Sequence, residues 1–112
     1  MSMQQTPITV TDATFSALVE RSPIPVLVNV CATWCRPCQK LASVINELAV
    51  ELVGRILVAK VDLDESRGIA SQFKVRMVPT LLFLSGGSEI DRLVGVQPKS
   101  EIIRRLERAM AA

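Results

Sequence analysis

The chain has 112 residues, 49% of them hydrophobic and 21% charged, a balance that builds one packed domain over residues 1–112 and excludes disorder, collagen and low complexity. Basic side chains number 13 and acidic ones 11, a formal charge of +2, with no block of like charge to make a phosphate-binding stripe; nucleic acid is not an expected partner. Histidine and tyrosine are absent and aromatics reach only 4%, which removes Ser–His and Cys–His nucleophile pairs, every zinc site that needs imidazole, and material for stacking on bases.

In chain order, the start from Met1 to Pro7 carries neither a basic nor an apolar leader region, and no apolar run approaches the ~20 residues that span a bilayer. A soluble, cytoplasmic chain without membrane contact is expected. Ile8–Val10 is β-prone, and Thr11 and Asp12 offer N-cap oxygens to a short helix carrying Phe15, Leu18 and Val19. Ser22 to Pro25 ends it. Val26–Val30 is almost wholly apolar and β-branched, the pattern of a strand buried on both faces.

The period then changes. Leu41, Ile45, Leu48 and Leu52 mark one face of a helix from Cys35 to Val53, with Gly54 as its stop. Ile56–Val61 is a second buried strand, and Ser66–Phe73 a short helix with Ser66 as candidate N-cap. Thr80–Leu84 and Glu89–Val94 flank Gly86-Gly87, an antiparallel hairpin signal. Pro98 opens a terminal helix carrying Ile102, Ile103, Leu106, Ala109 and Met110, with Arg104, Arg105 and Arg108 placed toward its C-terminal end to suit the macrodipole. The order predicts an α/β fold, a mixed sheet with helices on both faces.

The chemistry lies in Trp34-Cys35-Arg36-Pro37-Cys38, where a buried strand ends and the long helix begins. A helix N-terminus supplies unpaired N–H groups and partial positive charge that favour a thiolate. Two intervening residues let the sulfurs face each other and form a reversible disulfide. Pro37 stiffens the turn. Cys35, at the tip and expected to be the more exposed, is the candidate attacker, and Cys38 the candidate resolving thiol. The competing reading is half of a metal site or simply buried cysteines; with three cysteines and no histidine, a closed four-ligand site would need a carboxylate or a partner chain, and no metal and no bound cofactor are expected.

These residues resemble the thioredoxin family over essentially the whole chain: the approach Val26 to Trp34, the site Cys35-Arg-Pro-Cys38, the strand Val58 to Asp62, Val78-Pro-Thr80 and Gly95. The resemblance implies the thioredoxin fold, with Pro79 following a cis peptide bond and lying against the sulfurs. From the residues alone, Pro79 is only a proline tolerated at a strand start. It also implies that Trp34, Val78, Pro79 and Gly95 dock substrate chains, Val78 through its backbone, although Gly95 reads equally as an ordinary turn.

Three positions depart from the family pattern. Arg36 replaces the usual Gly, and a cation between the sulfurs favours the thiolate and makes a less reducing protein; the alternative is a solvent-screened side chain. Asn29 stands where the family carries a buried Asp that serves the resolving thiol, and Asn cannot titrate. Lys60, the place of that acid's partner, must reach water or pair elsewhere. Cys31 reads either as a third redox thiol or as a small buried hydrophobe.

The resulting expectation is a thiol–disulfide oxidoreductase that reduces protein disulfides as a monomer. Thioredoxin reductase drawing on NADPH is its implied electron donor. Alternatives are an oxidant or isomerase, a redox-silent binding module, and a metal carrier across a dimer.

Overall fold

The computed structural model describes residues 6–111, so the outer bounds of the expected domain and the reading of residues 1–5 lie outside the described residues. Five strands, β1 (Ile8–Thr9), β2 (Val26–Cys31), β3 (Leu57–Asp62), β4 (Thr80–Ser85) and β5 (Ser88–Val94), form one sheet in the order β1-β3-β2-β4-β5. β3 runs parallel to β1 and β2, whereas β4 is antiparallel to β2 and β5. The helices are α1 (Arg36–Glu51), α2 (Arg67–Gln72) and α3 (Lys99–Ala111).

β2 shows why the apolar run reads as it does. Its side chains alternate between two separate cores. Val26, Val28 and Val30 enter one with Phe15, Val19, Ile69 and Phe73; Leu27 enters the other with Leu41, Ile45 and Leu48 of α1 and Ile102 and Leu106 of α3. The chain therefore has the α/β architecture of a mixed sheet covered on both faces. By the same alternation Asn29 and Cys31 share the Leu27 face, toward α1, and Asn29 is registered against Lys60.

Local chemistry corrects several expectations. The first helix is a single π-type turn, Ser16–Glu20, closed by Arg21 N–H on the Ser16 carbonyl at 3.1 Å. Asp12 does not cap it. Its carboxylate instead accepts Gly68 N–H at 2.9 Å and Ile69 N–H at 2.8 Å, capping the distant α2, while Ser66 holds the N-cap position without a side-chain bond. Gly68 is glycine for a steric reason, since a Cβ there would stand 2.9 Å from the Asp12 carboxylate. α1 ends at Glu51, two residues short of the expected Val53.

Two of the α3 arginines, Arg104 and Arg105, are used in ion pairs, while Arg108 lies in the last turn of the helix. Arg104 and Arg105 reach Glu101, and Arg105 also grips both oxygens of Asp91 at 2.8 and 2.9 Å, tying α3 to β5. Lys99 bridges back to Glu47 and Glu51 of α1. In the hairpin, Gly86 and Gly87 take φ of 58° and 84°, which the tight turn requires.

Candidate active site

β2, the central strand of the sheet, ends at Cys31 and α1 begins at Arg36, so Cys35 becomes the N-cap residue of α1. Its Sγ accepts the N–H of Cys38 at 3.2 Å, and Pro37 occupies the first turn, where a missing N–H costs nothing. All three cysteines are free thiols. Cys35 and Cys38 are each 4% exposed, so the expected difference in exposure between them is absent. Together with Ala32 they form a small apolar cluster, against which Cys31, Leu63 and Val78 pack. Environment, not exposure, distinguishes the two thiols: Cys35 receives the helix N–H, and Cys38 lies one turn inside.

Burial pushes the Cys38 thiol above its ordinary value of 9.0. Its hydrogen bond with Cys35 adds to this, while the Cys31 thiol and the Ala32 backbone oppose it. Burial also pushes Cys31 far above the ordinary thiol range, its hydrogen bond with Cys38 adding and that with Asn29 opposing. Cys31 is not a fully buried hydrophobe. It is half-buried, and its S–H donates to Asn29 Oδ1 at 3.1 Å. Asn29 is 5% exposed, whereas Lys60 reaches solvent. Asn29, Cys31, Cys38 and Lys60 line one groove of about 460 Å³.

The Val78–Pro79 peptide bond is cis. Val78 packs against the cysteine cluster, and Pro79 is buried with its carbonyl accepting Gly95 N–H at 2.8 Å. Gly95 has φ of 86° with open space above it, so backbone conformation and not crowding calls for glycine. Trp34 is 64% exposed, and its indole N–H donates to Asp64 Oδ2 at 2.8 Å. Arg36 is exposed.

Sequence reasoning missed the loop that steadies Trp34. Asp62 Oδ1 accepts the N–H groups of Asp64 and Glu65, an Asx-type turn that follows β3 and presents Asp64 to the indole. The signal was the Asp62-Leu-Asp64-Glu-Ser run. Met77 at 63% and Val96 at 49% exposure, neighbours of Val78 and Gly95, were missed as well.

Among the described residues no group of three or more His, Cys, Asp or Glu side chains is arranged to hold a metal ion, and no helix is long and apolar enough to cross a membrane. The family model described as Thioredoxin matches residues 6–108. The chain is 43% identical over 99 residues to "Thioredoxin 1" of Nostoc sp., covering 88% of this chain and 92% of that relative. It is 39% identical over 102 residues to "Thioredoxin M-type, chloroplastic" of Spinacia oleracea, covering 91% and 56%. To the "Bifunctional thioredoxin reductase/thioredoxin" of Mycobacterium leprae it is 42% identical over 99 residues, covering 88% and 22%.

Proposed function

As the chain belongs to the thioredoxin family and is a thiol–disulfide oxidoreductase, we propose that it reduces protein disulfides through Cys35 and Cys38. The Cys35 thiolate attacks one sulfur of a substrate disulfide, forming a mixed disulfide and releasing the other sulfur as thiolate. Cys38, deprotonated, then attacks Cys35 Sγ; the substrate leaves with both sulfurs reduced and the chain keeps a Cys35–Cys38 disulfide. The observation that carries this reading is the Cys38 N–H directed at Cys35 Sγ at 3.2 Å on the first turn of α1, an arrangement that favours negative charge on that sulfur.

Trp34, Val78, Pro79 and Gly95 form the docking surface, with Met77 and Val96 extending its apolar area. Val78 stands beside the cluster and offers its backbone to an extended substrate. Two electrons per cycle come from a thioredoxin reductase, a pairing supported by the relative whose name joins both activities in one protein. The chain acts as a monomer in the cytoplasm with no bound cofactor, membrane or nucleic acid.

Arg36 makes it less reducing than thioredoxins with Gly at that place, because a cation beside the sulfurs favours the reduced form. Asn29 makes it slower, because the amide cannot exchange a proton with Cys38; that proton passes to solvent through the groove that both residues line.

The test is NADPH-driven reduction of a protein disulfide with thioredoxin reductase, wild type against Cys35→Ser. Wild type should turn over and the variant should be inert. A wild type inert with the reductase, yet binding partner proteins unchanged after Cys35→Ser, would replace this reading with that of a binding module.

A further inference from the structure

Three thiols, not two, surround the first turn of α1. Strand alternation sends Asn29 and Cys31 to the face of β2 that α1 covers, and Cys38 lies on the turn of α1 nearest the end of β2. Cys31 packs against the cluster of Ala32, Cys35 and Cys38. Cys31 and Cys38 also line the same groove, whose walls include none of Cys35, Trp34, Val78, Pro79 or Gly95. Cys38 thus stands between a thiol on the docking side and a thiol on the groove side.

We propose that Cys38 is shared by two dithiol–disulfide couples: Cys35–Cys38, which turns over substrate, and Cys31–Cys38, an alternative oxidised form that leaves Cys35 a free thiol. The proposal rests on the Cys35/Cys38 cycle above. In the exchange the Cys31 thiolate attacks Cys38 Sγ of the Cys35–Cys38 disulfide. The Cys31–Cys38 bond forms as the Cys35–Cys38 bond breaks, and the electron pair of the broken bond leaves on Cys35. The Cys31 proton passes to solvent in the groove, and the Cys35 thiolate keeps the Cys38 N–H as its donor. One disulfide and one thiol exist before and after, so no external oxidant is consumed. Because burial holds Cys31 protonated, the exchange is slow near neutral pH and accelerates as pH rises.

The full chain carrying Cys35→Ser tests the second couple. After oxidation with diamide it should lose both remaining thiols, reversibly with dithiothreitol, and yield one peptide pair joined through Cys31 and Cys38 within a monomer. A folded Cys35→Ser chain that keeps both thiols, or joins only chain to chain, overturns the proposal. If Cys35→Ser does not fold, by circular dichroism, the wild type decides. It is oxidised, incubated across a pH series, quenched in acid, unfolded and labelled with N-ethylmaleimide. Label should move from Cys31 to Cys35 with time at alkaline pH; label on Cys31 alone throughout overturns the exchange. A wild type that forms the Cys35–Cys38 disulfide while these signals fail sinks this proposal only. A wild type that forms no such disulfide sinks the cycle beneath it.

Discussion

Arg36 is exposed to water, so the effect proposed for it on the sulfurs is limited in size. A solvent-exposed cation near a helix N-terminus is screened within about one Debye length. Arg36→Gly should therefore lower the reduction potential by only on the order of 10–20 mV, where 30 mV corresponds to about 1.4 kcal/mol. The difference should shrink in high salt. Equilibration against glutathione at two ionic strengths checks both points, and an unchanged or higher potential in the variant defeats the role given to Arg36. Asn29 is the opposite case, since it is buried and already accepts the Cys31 S–H. Asn29→Asp places a titratable group in the groove that Cys38 also lines and should speed disulfide reduction by about tenfold or more. It should also lower stability by about 1–3 kcal/mol at neutral pH, where the buried carboxyl must ionise or stay protonated at a cost. The sign follows from desolvation. A carboxyl with its folded pKa raised destabilises more as pH rises through the unfolded value, so acid should relieve the loss, as urea denaturation at two pH values would show. At this scale the sequence made the motif, Asn29 and Arg36 legible because their identities alone carry chemistry. Cys31 and Trp34 were only half legible. The polarity of Cys31 depends on a face of β2 being covered by α1, and the Trp34 indole finds Asp64 thirty residues along the chain.

At the scale of elements, α2 depends on a residue that precedes it by more than 50 positions. Its own N-cap, Ser66, makes no side-chain bond, and its hydroxyl is buried without a partner. The two N–H groups left over are taken by Asp12. A charged acceptor of two backbone donors is worth about 1–2 kcal/mol. Asp12→Ala should cost that much in chemical denaturation while leaving the reduction potential unchanged, because α2 packs on the opposite face of the sheet from α1. Gly68→Ala should also destabilise, as its Cβ meets the same carboxylate. Combined, the two changes should cost less than their sum, because removing Asp12 removes the clash. Additivity within error would mean that the carboxylate is not what fixes Gly68. The strands, the hairpin and α1 were readable from period and turn residues, since those signals are local. The cap of α2 was not, because Asp12 lies in a separate stretch of sequence. Nor could the apolar spacing of Phe15, Leu18 and Val19 distinguish one π turn from one α turn, which differ by a single residue in hydrogen-bond span.

For the molecule as a whole, the thiol cluster links redox state to alkaline stability. In the reduced chain Cys31 and Cys38 are both held above the ordinary thiol value of 9.0, burial being the largest cause for each. Below that value both folded and unfolded chains keep these protons and no stability is at stake. Above it the unfolded chain releases protons that the folded chain retains. The unfolded state then binds fewer protons, and the free energy of unfolding falls as pH rises. Each group contributes a slope of up to about 1.4 kcal/mol per pH unit until its folded value is reached. Oxidation to the Cys35–Cys38 disulfide removes Cys38 from this balance and leaves Cys31. The reduced protein should therefore lose stability above pH 9 more steeply than the oxidised protein. Cys31→Ala should flatten both curves, and the oxidised one most completely. Urea midpoints of the two redox forms and of Cys31→Ala across that pH range measure the slopes directly. Parallel curves for the reduced and oxidised wild type would mean that Cys38 ionises as freely folded as unfolded, and would remove the proton barrier behind the slower turnover proposed for Asn29.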